Sequence, residues 1–584
     1  MIARRDPALK ERRPWWQRLL DGMRAFSALI KPPFLPLTPP PPIRWRHRVG
    51  RDYEKETRRI DRYLLVVIRT HTSMDRVFEL LEVVGEGVSL AIKFVLDVGS
   101  KFAREVTTKL RALGAEQIEW EEAKQLYWDG IFAAHVDQQL AELCELSGNL
   151  FVVPHGVGYN RKRLISTGGR PGAAGLSAYE LTHAGEVFPA LIGISCSEQS
   201  TRLCPEARGR EIVIGDLVRD KLIANRQHRR RCRRLLGIGK RKLIVVSSTW
   251  GQRSTFRTQK KIITSLVADL PSDEYAVALI MHPNIWYGDS PFELRVELRD
   301  ELDSGLLIID HTRWQAALLA ADLVVGDHGS CTAYAVAMDL PVLIAACGSA
   351  ELDEESPLAA LHAELPRLGK TSLRERVDDA LRGHVPGRWK HHTDRLFELP
   401  GEGLKAAANA LRGLMDLPPL TGRPRGTEVE PPEAIRGKPT RSHRAVVTTK
   451  PDGTEHLERY PEILLQETDF PDSVRVVSEL EVDATARDNA EIIVYSEVLP
   501  DDEAMPEIAE QLGLSKAGLA AAMTESGRVL LHFRDDQVVT ARGDPFVVAV
   551  VLHWRRTHGT PLACGEFGVV MGNETYPVVV ESIN

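Results

Sequence analysis

Residues 318–345, LLAADLVVGDHGSCTAYAVAMDLPVLIA, decide how the chain is read. Residues 316–321 read as the end of a helix, 323–326 as a short, fully apolar strand, 330–337 as a second helix and 341–345 as another buried strand. Together they make an α/β unit with a polar loop, Asp327-His328-Gly329-Ser330, at the carboxyl end of a strand. In parallel sheets ligands bind at that end, and a helix starting there aims backbone N–H groups and the positive end of its dipole at an anion. Gly329 lets the backbone approach such an anion, and Ser330 either caps the helix or donates to a phosphate oxygen. A plain capped turn would use the same residues, so the loop needs company before it means a site.

The same alternation runs outward on both sides. Upstream, strands are expected at 243–247, 275–281 and 306–309, with helices at 259–270 and 292–302 between them. Earlier still come strands at 63–68, 89–96, 117–120, 130–136, 149–153, 191–195 and 211–214, with helices at 74–84, 102–113 and 140–146. This order predicts mostly parallel sheets covered by helices on both faces. The fold class is therefore α/β, with two Rossmann-like domains facing a cleft, residues 60–225 and 226–416, the second ending in helices that return toward the first. The basic stretch 226–234 reads as a solvated helix face between them. Residues 417–441, with Pro424, Pro431, Pro432 and Pro439, read as a linker, and 442–584 as a separate α+β domain of unknown role. In that domain hairpins are expected at 444–460 and 529–540, strands at 474–482 and 492–498, and helices at 505–512, 516–523 and 546–556.

Residues 1–50 differ in texture, carrying eleven Lys and Arg against three acids. Trp15, Trp16, Leu19, Leu20, Met23, Phe26 and Ile30 fall on one helical face, and a proline-rich spacer, 32–42, follows. A basic amphipathic helix with tryptophans suits contact with a membrane surface through residues 12–30, and equally a helix docked on its own protein. The net charge of -6 over 584 residues argues against a nucleic-acid partner. Seven scattered cysteines without a CxxC pair suggest neither a zinc site nor a disulfide framework, and fit a reducing cytoplasm. No apolar run reaches the length of a membrane span.

Four loops at strand ends carry candidate chemistry. The first, 153–162, holds His155 and Gly156 ahead of Arg161 and Lys162, and a histidine there can act as a general base. The second, 247–253, offers Ser248, Thr249 and Arg253, a composition suited to phosphate. The third is His282 with Pro283 fixing the turn after it, and the fourth is the Asp327 loop. Grouped around one cleft, they suit a nucleotide-diphosphate ligand whose leaving phosphate is neutralised by N–H groups, Arg253 and His282. No Asp-x-Asp motif stands at a strand end of either α/β domain, so a transfer without a metal or other cofactor is expected.

The order of these motifs resembles the two-domain (GT-B) CDP-glycerol glycerophosphotransferases that polymerise teichoic-acid-type chains, over about residues 63–415. His155-Gly156 with Arg161 and Lys162 is similar to that family's His-Gly loop. Gly215 to Asp220 is similar to its Gly-x-Pro-Arg-x-Asp turn, Ser248-Thr249-Trp250 with Arg253 displaced to its Pro-Thr-Trp-Arg segment, His282-Pro283 to its His-Pro, and Asp327-His328-Gly329-Ser330 to its Asp-Tyr-Ser-Ser. The resemblance implies His155 as base on an acceptor hydroxyl, and His282 with Ser330 on the donor diphosphate. Gly156, Ser248, Thr249, Arg253, Asp327, His328 and Gly329 complete the implied donor site. Leu217, Val218, His328, Gly329 and Tyr334 stand where the family has proline, arginine, tyrosine, serine and aspartate. The expected partners are a CDP-alditol or nucleotide-sugar donor and a polymer or lipid-linked acceptor, at the cytoplasmic face of the cell membrane. Two other readings use the same scaffold: a nucleotide-sugar 2-epimerase, and a catalytically degenerate scaffold that binds or regulates.

Overall fold

The computed structural model describes residues 60–162, 173–288, 290–369 and 372–584, so the amphipathic segment expected within 1–50 lies outside the described residues. The chain divides into two compact units. One contains residues up to Ala224 together with Ser349–Glu364 and Trp389–Glu428; the other contains Asn225–Gly348, Leu365–Arg388 and Val429–Asn584.

In the first unit β1 (Arg62–Ile68), β2 (Leu90–Leu96), β3 (Gly130–Ala133), β4 (Leu150–Val152), β7 (Leu191–Ile194) and β8 (Glu211–Val213) form a six-stranded parallel sheet in the order β2-β1-β3-β4-β7-β8. A two-stranded ribbon, β5 (Thr182–His183) and β6 (Glu186–Val187), stands apart from it. Leu64, Leu65, Val66, Val67 and Ile68 of β1 are all fully buried, as a strand covered on both faces requires. Burying each such side chain contributes about 1.5–3 kcal/mol. The short strand expected at 117–120 is only a bridge between Phe94 and Gln117, after which the chain turns into the helix Trp120–Lys124.

The second unit builds a sheet of β9 (Lys242–Ser248), β10 (Tyr275–Met281), β11 (Leu307–Ile309), β12 (Leu323–Gly326), β13 (Val342–Ile344) and β14 (Ala434–Ile435), in the order β13-β12-β9-β10-β11-β14. All pairs are parallel except β14, which runs antiparallel to β11. The linker expected at 417–441 thus ends as an edge strand, and Val429 N and Lys438 N donate to Asn225 Oδ1 and Asp303 Oδ1 on either side of it. The basic stretch is not simply solvated. Arg229 and Arg233 share Asp322 at 2.7 Å each and donate to the carbonyls of Leu319, Ala320 and Ala321, the closing turn of the helix Trp314–Ala320. Carbonyls at a helix end lack partners within the helix, and cations are favourable there.

The same unit ends in a closed nine-stranded barrel made of β15 (Ser442–Thr449), β16 (Glu455–Pro461), β17 (Val474–Ser478), β18 (Ile492–Leu499), β19 (Leu519–Thr524), β20 (Val529–Phe533), β21 (Val538–Arg542), β22 (Gly565–Met571) and β23 (Glu574–Ile583). The helix Pro545–Thr557 packs into the barrel core with Val547 to Leu552 buried, started by Asp544, whose side chain accepts from Phe546 N and Val547 N. The helix expected at 516–523 is instead strand β19. Leu519 and Ala521 join the core around the Pro545–Thr557 helix, while Ala520 and Ala522 join a second cluster with Ala504, Ile508 and Leu512. Small side chains are needed on both faces of that strand, and packing overrides the helical propensity of alanine. Arg459 with Asp273, and Arg374 with Glu458, tie β16 to the α/β part of the unit.

Candidate functional site

In the second unit the strand order reverses direction between β9 and β12, since β10 and β11 are added on one side of β9 and β12 and β13 on the other. Crevices at such switch points are where open α/β sheets hold ligands. The paired registers Met281↔Ser248 and Val325↔Val246 bring the loops after β9, β10 and β12 to one sheet edge. Those are the loops holding Ser248, Thr249 and Arg253, His282, and Asp327 to Ser330. Ser248, Thr249, His282 and Asp327 are linked directly across these loops, and Arg253 lies on the loop that carries Thr249.

Their roles are not equal. Asp327 is fully buried, and its carboxylate accepts from the backbone N–H groups of Thr249, Thr255 and Gly329 at 2.9–3.2 Å. Burial pushes its carboxyl up, and these N–H donors and His328 pull it down. It holds the loops in place through these bonds. Ser248 is likewise committed, donating to Thr249 O and accepting from Phe256 N. His328 is buried against Gly348, where a Cβ would fall within 2.0 Å of the imidazole, so only glycine fits there.

What faces outward is different. The helix Ser330–Ala337 opens at Gly329, and a Cβ on Gly329 would lie 3.1 Å from Thr249 Cβ, so the glycine lets Thr249 close on the helix start. Arg253 is exposed and forms no ion pair or side-chain hydrogen bond among the described residues. His282 Nδ1 accepts from Asn284 N at 3.1 Å, which puts the proton of the neutral ring on Nε2 and makes Nε2–H a donor. Its backbone N donates to Ser248 O at 3.1 Å, locking the two loops together, and exposed Trp250 lies with its ring 6.1 Å away. A helix start, a hydroxyl, an imidazole N–H and a guanidinium are groups of the kind that donate to phosphate oxygens.

In the first unit His155 and Gly156 follow β4. The His155 ring keeps solvent on one side, yet crowding by protein, with His135, Arg76 and Arg161 nearby, lowers its imidazole to about 4, against a hydrogen bond to the Ala134 backbone. Arg76 and Arg161 act in the same sense as the desolvation, since a second positive charge beside them is unfavourable. The cations after it are engaged: Arg161 pairs with Glu351 and Lys162 with Glu354, both at 2.6 Å. Similarly, the turn from Gly215 to Asp220 clasps the start of the helix Gly403–Leu414, with Asp220 accepting from Gly401 N and Gly403 N at 2.8 and 3.1 Å.

The switch point of this first sheet lies between β1 and β3, one strand away from His155. There stands a pair that the sequence reading did not select. His135 Nε2 contacts Asp97 Oδ2 at 2.9 Å, both side chains are buried, and Asp97 also accepts from Gly99 N at 2.8 Å with Arg69 at 3.9 Å. Burial alone would raise the Asp97 carboxyl; His135, Arg69 and Gly99 outweigh it and hold it below its ordinary range. The contact fixes the tautomer, leaving the His135 Nδ1 lone pair without a hydrogen-bond partner among the described residues. His135 was read as lying inside a strand, but β3 stops at Ala133 and leaves it on the loop. His311, which follows β11 and contacts Tyr287 Oη at 3.2 Å, was passed over too, although the strand-end rule applied elsewhere would have found it.

No protein-family model matches the chain, and no curated protein matches it. Among solved structures, MnaA of S. aureus with UDP aligns at a TM-score of 0.39 and 12% identity, over 63% of this chain and 100% of that one. A variant of the wall teichoic acid polymerase TagF soaked with CDPG aligns at 0.40 and 10% identity, over 61% and 89%. The UDP-GlcNAc 2-epimerase of Methanocaldococcus jannaschii, in complex with UDP-GlcNAc and UDP, aligns at 0.38 and 11% identity, over 59% and 98%.

Proposed function

We propose that the chain is a transferase that moves a phosphoalditol of the glycerol phosphate kind, or a glycosyl group, from a CDP- or other nucleotide-diphosphate donor to a cell-envelope acceptor. The observation that carries the reading is that the loops after three adjacent strands at the switch point of the second sheet hold the Ser330–Ala337 helix start, Thr249, His282 with its proton on Nε2, and exposed Arg253. Such donors stabilise negative charge growing on a leaving phosphate, and positioning supplies much of the rate. In phosphoalditol transfer the acceptor oxygen attacks the phosphorus of the transferred group, the diphosphate P–O bond breaks and a nucleoside monophosphate leaves. In glycosyl transfer the anomeric C–O bond breaks and a nucleoside diphosphate leaves. The imidazoles that qualify as base for the acceptor proton are His155, as first candidate, and His135, oriented by Asp97, as second.

The epimerase reading gains one observation, because Asp97 and Asp137 stand as carboxylates beside Arg69 at the edge of the first sheet. A thermal-shift series with CDP-glycerol, CDP-ribitol, CMP, CDP, UDP and UDP-sugars separates the readings. A cytidine-selective rise in Tm that disappears in His282→Ala supports phosphoalditol transfer, and a uridine-selective rise moves the assignment to a sugar transferase or epimerase. No rise with any nucleotide overturns the proposal and leaves the binding scaffold.

A further inference from the structure

Outside the loops described above, Glu364, His391 and His392 each bring one ligating atom within 4.8 Å of the others. Glu364 ends the helix Pro357–Glu364, and the two histidines lie in the first turn of the helix Lys390–Leu396. His391 Nε2 is 3.9 Å from Glu364 Oε2, and His392 Nε2 is 3.1 Å from Glu364 Oε1. Consecutive residues on a helix point about 100° apart. Here the two rings are nevertheless only 4.1 Å apart, with both Nε2 atoms turned to one carboxylate. The His392 side chain is only 3% exposed, and neither of its ring nitrogens makes a hydrogen bond among the described residues, so its approach to Glu364 is close but out of line for one. An imidazole that deep, aimed at a carboxylate without bonding to it, has the geometry of a ligand.

We propose that Glu364, His391 and His392 bind a divalent cation of the zinc class. Two imidazoles and one carboxylate are a borderline donor set that suits zinc, whose sites with three protein ligands keep a fourth position for water. The expectation of no metal rested on the cysteine spacing and on the lack of Asp-x-Asp, and neither bears on these residues. Glu364 is the last residue of one segment of the first unit, and Trp389 is the first of the next. A bound ion therefore ties the point where the chain leaves that unit to the point where it returns, closing the 365–388 excursion. Cross-linking two such points removes freedom from the unfolded chain, and binding becomes folding stability.

The test uses the full chain, stripped by a chelator and then titrated with Zn2+ against a chromophoric competitor, and with Co2+ followed by its visible absorption. One Zn2+ per chain is expected, with Co2+ bands of a low-coordinate N/O site and a Tm raised by zinc. Glu364→Gln and His391→Gln change residues 54% and 60% exposed, so both variants should keep the wild-type circular dichroism. Each should bind Zn2+ at least about tenfold more weakly and lose the Tm rise. Zinc held equally well by both variants places the ion elsewhere and overturns the proposal, as does a wild-type chain that retains no zinc against the competitor.

Discussion

Individual side chains in this protein separate into those that hold loops and those that present a hydrogen-bonding atom, and the two are easily confused. Asp327 looks like a ligand by position, but it spends its oxygens on backbone N–H groups. Asp97 does similar work on an imidazole, and that can be measured. Asp97→Asn removes a buried, charge-assisted bond to His135 and should lower stability at pH 7 by about 1–3 kcal/mol in urea unfolding. The sign with pH follows from the depressed folded carboxyl. The contribution is full above the ordinary carboxylate value, near 3.8, and is lost as the pH falls below it through the folded value. The gap between wild type and variant should therefore stay flat at neutral pH and close as the pH falls below the ordinary carboxylate value. A gap that widens on acidification would contradict the assignment.

At the scale of elements, the helix Trp314–Ala320 depends on two arginines far back in sequence for its last carbonyls. Asp322→Ala leaves Arg229 and Arg233 without their shared anion and should cost about 1–3 kcal/mol by chemical denaturation. Arg230→Ala, at an exposed position of the helix Arg229–Leu235 that carries the two arginines, should stay within about 0.5 kcal/mol of wild type. Equal effects of the two would refute the capping role. The helix-loop-strand punctuation of residues 318–345 was legible in sequence because apolar runs and Gly329 mark it locally. Strand β19 was not, because LAAAMT reads as helix until the two clusters on its faces are known. The His135–Asp97 pair was hidden for a related reason: β1 lies between β2 and β3, whose following loops carry the two residues, and strand order is not written along the chain.

Across the whole molecule, each unit is assembled from segments distant in sequence. The barrel shares its unit with the second α/β sheet, joined to it through Arg459 with Asp273, Arg374 with Glu458 and the edge strand β14. Residues 429–441, read from sequence as a linker, are pinned by backbone hydrogen bonds to Asn225 and Asp303 and by pairing with β11. Limited proteolysis of the native chain should therefore spare 429–441, because cleavage needs a segment that opens. A first cut there, releasing an intact barrel, would show that the segment is a linker after all.

The central claim is that a nucleotide diphosphate sits on the loops at the switch point of the second sheet, and hydrogen–deuterium exchange tests it most directly. With CDP or UDP at saturating concentration, the account predicts slower exchange in peptides covering 249–255, 282–286 and 328–332, with the effect abolished by the double substitution Arg253→Ala and His282→Ala. Protection confined to other segments, or protection of these three that survives the double substitution, would contradict it.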